Sequence, residues 1–326
     1  MTDQPHDALF KASATPDAAL ALVRAVFPAG VAQAFEGATF ELAPSEFKEE
    51  ALRDRSSDVL FRATLADAKQ ALVYVMVEHQ STVDPLMAFR VLRYMVRIWS
   101  QWEKHSEGRP KTLPAILPIV LYHGKQDWNA ARSFQDLVDL PASMSSARHL
   151  VPSFEFLLDD LRQVTDQELL ARLAPPFATV TWILLRRNYD LERGVEVLRV
   201  CEEQIRALAE ASPEHLESLQ QLATYMLLRD FGTAEELAAE LGRIGGPKAE
   251  EVAVTAGEQL MERGRREGEA TGVLKGERRI LLRILSRLGT VTPEVNARVQ
   301  AAGETDLERW AESALSANSI EDVFED

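Results

Sequence analysis

The sequence predicts an α/β core followed by an all-α half. Two observations carry this. In the first half, "DVLFRATL" (58–65), "ALVYVMVEHQ" (71–80) and "LPAILPIVLYHG" (113–124) read as strands set among helical stretches. From about Asp166 onward only helical spacing recurs. A chain of 326 residues exceeds one small core. The expected division is an α/β core at 1–165, a helical extension at 166–245 and a helical C-terminal region at 246–326.

Taken in order, "TPDAALALVRAVFPAGVAQAF" opens with Thr15, Pro16 and Asp17, a good helix start. "PSEFKEEALRDRSS" is a shorter, charged helical patch. The first two strands are joined by "ADAKQ", which predicts a hairpin turn. Asp84 and Pro85 then start a long helix through "LMAFRVLRYMVRIWSQWEKH", with Asp84 as the cap, and "GRPKT" ends it. The third strand closes at Gly124. In the second half, "PPFATVTWILLRRN", "GVEVLRVCEEQIRALAE" and "PEHLESLQQLATYMLL" each carry an apolar stripe, and "GRIGGPKAEE" is the best linker candidate. Beyond it Gly264, Gly268, Gly272 and Gly276 recur at close to one helical turn. Each glycine costs up to about 1 kcal/mol in a helix. The stripe therefore marks either the approach of a second helix, such as one from another copy of the chain, or a charged linker helix that tolerates glycine.

Composition narrows the function. Hydrophobic residues make 46% and charged residues 27% of the chain, as in globular proteins. A net charge of −15 argues against a surface that coats nucleic acid throughout. The single cysteine, Cys201, excludes an internal disulfide and a Cys-based zinc site, and its apolar neighbours predict an inert core thiol. No signal-peptide pattern opens the chain and no apolar run is long enough for a bilayer, so a cytoplasmic protein with no membrane partner is expected.

The chemistry is concentrated in "VYVMVEHQ" (73–80). Strand alternation puts Tyr74, Met76, Glu78 and Gln80 on one face and His79 on the other. A buried carboxylate is costly without a partner, and a metal ion is one such partner. Asp58 starts the preceding strand, and it and Glu78 are nearly equidistant from a turn centred at Ala68, which makes them expected neighbours across the hairpin. Facing carboxylates repel unless a cation lies between them, and hard oxygen ligands point to Mg²⁺ or Mn²⁺. The helix that follows supplies positive charge through Arg90, Arg93, Arg97, Lys104, Arg109 and Lys111. Arg90 and Tyr94, four apart, share a face and are the expected phosphate contacts. His123 is expected at a turn rather than as a ligand. No helix-turn-helix, zinc-finger or basic-zipper signature reads bases.

An aspartate, a hairpin and then Glu-x-Gln, in a helix-strand-strand-helix-strand order, resembles the PD-(D/E)xK nuclease superfamily. More narrowly, "HDALFKA", "SSDVLFRA", "VEHQSTVDPLMAFRVLRYM" and "LPIVLYHG" resemble the Rpn family of recombination-promoting nucleases. The resemblance implies a restriction-endonuclease-like core, a mixed sheet flanked by helices. It implies metal-dependent hydrolysis of DNA with little sequence preference, linked to recombination or to mobile or foreign DNA. Asp58 and Glu78 match the metal-binding acids, and Gln80 stands where the superfamily usually has lysine. Ser57 precedes Asp58 in place of the motif's proline. A glutamine positions water but offers no positive charge. The competing expectation is a nuclease fold that acts as a DNA-binding or assembly module, with self-association through the C-terminal helices.

Overall fold

The computed structural model describes residues 5–43, 58–67, 69–78, 83–106, 108, 110–189, 194–210 and 212–324, with the backbone alone at 70 and 75–78. The charged patch at 44–57 and the residues Ser57, His79 and Gln80 lie outside the described residues.

Three helices open the chain: α1 (Pro5–Ser13), α2 (Pro16–Val26) and α3 (Ala29–Gln33). Thr15 caps α2 by accepting the Ala18 N–H at 3.2 Å, and Pro16 occupies the first turn where its missing N–H costs nothing. Pro28 separates α2 from α3, so the long N-terminal apolar stretch forms two helices instead of one.

Among the described residues five strands form one sheet in sequential order: β1 (Thr39–Leu42), β2 (Val59–Thr64), β3 (Gln70–Glu78), β4 (Ala115–Tyr122) and β5 (Leu157–Asp160). The first three are antiparallel; β4 and β5 run parallel to β3, so the sheet is mixed. The crossover from β3 to β4 is α4 (Met87–His105), the helix expected at 86–105. Its start differs in detail. Asp84 accepts the Leu86 N–H at 2.9 Å before the helix begins, so Pro85 sits in the preceding turn.

Residue parity assigns the two faces of the sheet. Val59, Phe61, Val73, Ile119 and Leu121 join one apolar cluster with the N-terminal and later helices. Leu60, Leu72, Tyr74, Ile116 and Val120 join a second cluster with Val91, Met95 and Ile98 of α4, against which Trp99, Trp102 and Trp128 pack. Alternation along paired strands produces this partition without exception at these positions.

The helical half continues with α5 (Asp166–Ala171), α6 (Pro176–Arg186), α7 (Glu196–Val200), α8 (Glu202–Glu210), α9 (Pro213–Leu228) and α10 (Ala234–Gly245). The glycine-proline stretch expected as a linker is a one-residue corner. Gly246 takes a φ of 75°, a conformation glycine adopts without strain, and α11 (Pro247–Leu288) starts at once. That helix runs 42 residues and holds Gly264 to Gly276 without interruption. It is followed by α12 (Pro293–Ala301), α13 (Glu304–Ser313) and α14 (Ile320–Val323).

By internal contacts the chain divides into two compact units, Met1–Gly257 and Glu258–Asp326. The first holds the sheet and the helices through α10. The second has its own small core of Leu281, Leu285, Val299, Leu307, Trp310, Ile320 and Val323. Among the described residues no helix is long and apolar enough to cross a membrane.

Candidate active site

The hairpin register decides how the two acids meet. Val59 pairs with Val75 and Thr64 with Gln70, which centres the turn on Asp67 rather than Ala68. The reason is local. Asp67 accepts the Lys69 N–H at 3.0 Å, and the Leu65 N–H closes onto Lys69 O at 2.8 Å, so the turn tightens and Gln70 joins the strand. Extending the register by one residue sets Asp58 opposite position 76. Position 78 is then a diagonal neighbour of Asp58 instead of its direct partner. The shift is by two residues, so parity is kept, and diagonal positions lie about 7–8 Å apart in an antiparallel pair. On its other side, Glu78 pairs through the backbone with Tyr122 of β4.

Asp58 is buried, at 5% exposure. Its Oδ2 accepts a hydrogen bond from the Tyr74 hydroxyl at 2.6 Å. Burial, then the charge and hydrogen bond of Asp58, push the Tyr74 phenol well above its ordinary range, while Arg90 acts in the opposite direction. The phenol is therefore a fixed donor to this carboxylate at any physiological pH. Tyr74 packs against Tyr94 with ring centroids 6.1 Å apart, and Arg97 lies over the Tyr94 ring at 5.5 Å. Tyr94 itself is 6% exposed.

Arg90 is held by Asp84 at 3.1 Å, with both side chains largely buried. Asp84 thus serves two donors at the start of α4, the Leu86 N–H and the Arg90 guanidinium. Arg90 and Tyr94 do share a helix face, and that face looks toward Tyr74 and Asp58. The structure brings Asp58, Tyr74, Tyr94 and Arg90 together at one end of β2 and β3. Gln80 falls outside the described residues, and no cluster of metal-binding side chains is complete among the described residues.

Sequence comparison places this chain in a family. Residues 4–212 match the model described as "Putative transposase, YhgA-like". The recombination-promoting nuclease RpnA of Escherichia coli (strain K12) is 28% identical over 245 residues, covering 67% of this chain and 82% of its own. RpnD of Escherichia coli O157:H7 is 28% identical over 249 residues, covering 68% of this chain and 94% of its own. The inactive recombination-promoting nuclease-like protein RpnE of Escherichia coli (strain K12) is 27% identical over 292 residues, covering 88% and 91%. No solved structure matches.

The chain belongs to the Rpn family. The matched span includes the sheet, α4 and the first helices of the second half, so the Rpn family unit is larger than an isolated α/β core.

A second polar cluster lies on the opposite sheet face of this Rpn chain, one residue past the end of β4. His123 is fully buried, with its ring 5.0 Å from that of His6 in α1. His6 Nδ1 is 2.8 Å from the Tyr225 hydroxyl of α9. His123, expected at a turn, is thus an interior residue just past the strand end, with its ring against that of His6. Tyr74 and Tyr225 carry no motif. The signal that finds them is that a buried tyrosine hydroxyl needs a partner, and in "VYVMVEHQ" Tyr74 shares the parity of the acids.

Proposed function

We propose that this Rpn-family chain is a metal-dependent endonuclease that hydrolyses DNA phosphodiester bonds with little sequence preference. The observation that carries the reading is the buried Asp58 carboxylate at the start of β2, beside the strand end that bears Glu78. The donor set fits a hard divalent cation. Both groups are carboxylates, and the hydrogen bond that Asp58 accepts from Tyr74 comes from a neutral donor.

Asp58 and Glu78 would hold Mg²⁺ or Mn²⁺. Such an ion activates water and offsets charge on the scissile phosphate when bound. Gln80 would orient the attacking water through its amide, without the positive charge a lysine brings. Arg90 would meet a phosphate by exchanging or sharing its Asp84 partner, and Tyr94, packed beneath, would complete that contact. The positive edge of α4 is the expected path for the DNA backbone. The C-terminal helices from 246 onward would carry self-association, since a side chain at Gly264, Gly268, Gly272 or Gly276 would meet nothing within 4 Å of its Cβ.

The test is nicking of supercoiled plasmid by the purified chain with Mg²⁺ or Mn²⁺, beside EDTA and Glu78→Ala, with a matched RNA substrate in parallel. Cleavage that needs metal and disappears in the variant supports the reading. A second reading, a non-catalytic DNA-binding or assembly module, is favoured by the likeness to RpnE, whose name marks it inactive, over 88% of this chain. Retention of DNA without nicking in either metal would select it.

A further inference from the structure

We propose that Tyr74 is a positioning residue: its hydroxyl fixes the Asp58 carboxylate in the orientation that divalent metal binding requires. The inference rests on the reading of Asp58 as a metal ligand.

Three features single out this phenol. Tyr74 is fully buried, and its hydroxyl reaches Asp58 Oδ2 at 2.6 Å. The bond crosses between strands. Tyr74 pairs with Leu60 in the sheet, and Asp58 lies two residues before Leu60, so the contact is diagonal and links the two strands that carry the acids. Finally, Tyr74 has little freedom of its own. The sheet holds its backbone, and Tyr94 packs on its ring at 6.1 Å under the Arg97 guanidinium.

Asp58 precedes the first paired residue of β2, where the backbone constrains a side chain least. At 5% exposure the carboxylate has few orientations open to it, and the hydrogen bond that Oδ2 accepts from Tyr74 favours one of them. Because Tyr74 lies on the strand that ends in Glu78, the same bond sets Asp58 relative to position 78. A neutral donor suits this role, because a lysine or arginine at position 74 would compete with the cation for the carboxylate. Partners that orient metal-binding side chains typically change affinity by about 10- to 100-fold when removed.

The experiment is Mn²⁺ titration of the apo protein by isothermal calorimetry, comparing wild type, Tyr74→Phe, Asp58→Ala and Leu72→Val. Apo thermal unfolding is followed on the same samples. Leu72 lies two residues away in the same strand and on the same face, with no polar atom, so its shortening reports general loosening of β3. The expected result is a Kd for Mn²⁺ raised about tenfold in Tyr74→Phe, no binding in Asp58→Ala, and an unchanged Kd in Leu72→Val. If Tyr74→Phe is unfolded at 25 °C, the series is repeated in the cold with trimethylamine oxide, which favours burial without touching the site. A Tyr74→Phe protein that binds Mn²⁺ as wild type does, with Asp58→Ala unable to bind, overturns the positioning role and leaves the metal site standing. A Kd raised equally by Leu72→Val also overturns it. Full binding by Asp58→Ala overturns the metal reading itself, and this proposal with it.

Discussion

Arg90 and Cys201 show how local surroundings decide what a side chain does. Asp84 holds Arg90 at 3.1 Å, so in the proposed DNA contact the guanidinium must exchange or share that carboxylate. If it makes that exchange, Arg90→Ala weakens binding across all sequences and makes the plot of log affinity against log salt shallower by about one. A slope identical to wild type would mean that Arg90 stays on Asp84 and serves the helix alone. Cys201 is at the other extreme. It is fully buried, and burial pushes its thiol up to about 12. A native protein treated with a thiol reagent at pH 8 is expected to react only as fast as it unfolds. The sign of its linkage follows. The unfolded thiol ionises near pH 8.5 while the folded one stays protonated, so its stabilising contribution is complete below that pH. It is lost progressively as pH rises toward about 12. Urea unfolding between pH 7 and 10 should therefore show falling stability, with a flatter fall in Cys201→Ala.

At the level of elements, long-range pairing is what the sequence leaves unwritten. β3 and α4, of nine and 19 residues, were legible because one carries an unbroken apolar run and the other a period-3.6 pattern. β1 and β5 were not, since each is four residues long and acquires its strand character only by pairing with β2 or β4. Asp58 was legible as an acid at a strand start, but its diagonal offset from Glu78 was not, because one side-chain hydrogen bond at Asp67 sets the register. The contact between α1 and α9 was likewise invisible, since its partners lie 219 residues apart. That contact is open to test. Tyr225→Phe removes the hydroxyl that meets His6 Nδ1 at 2.8 Å and should cost about 1–3 kcal/mol in denaturant unfolding. The His6→Ala and Tyr225→Phe effects should be non-additive, because each removes the same bond. Additive losses would show that the two side chains contribute only separate packing.

For the whole molecule, the question is what the smallest folding unit is. The α/β core read from the sequence ends at 165, yet one apolar cluster runs from Leu9, Phe10 and Val73 through Ile183, Ile205, Leu222 and Leu241 to Ala256. Helix α1 is packed against both α6 and α9. A fragment ending at 165 loses both of these partners of α1. Uncovering a large apolar side chain costs about 1.5–3 kcal/mol, so a few such exposures match the entire stability of a typical domain, about 5–15 kcal/mol. A fragment of residues 1–165 is therefore expected to bind hydrophobic dye and lack near-ultraviolet circular dichroism, the signature of a collapsed chain without fixed packing. A fragment of residues 1–257, which keeps the whole of the first compact unit, should unfold in one cooperative urea transition. If the shorter fragment also unfolds cooperatively, the α/β core is autonomous and the helices are an appendage. If only the longer one does, the helical extension is part of the scaffold that holds Asp58 and Glu78. Substitutions in α6 or α9, far from either acid in sequence, should then weaken metal binding through loss of fold rather than loss of a ligand.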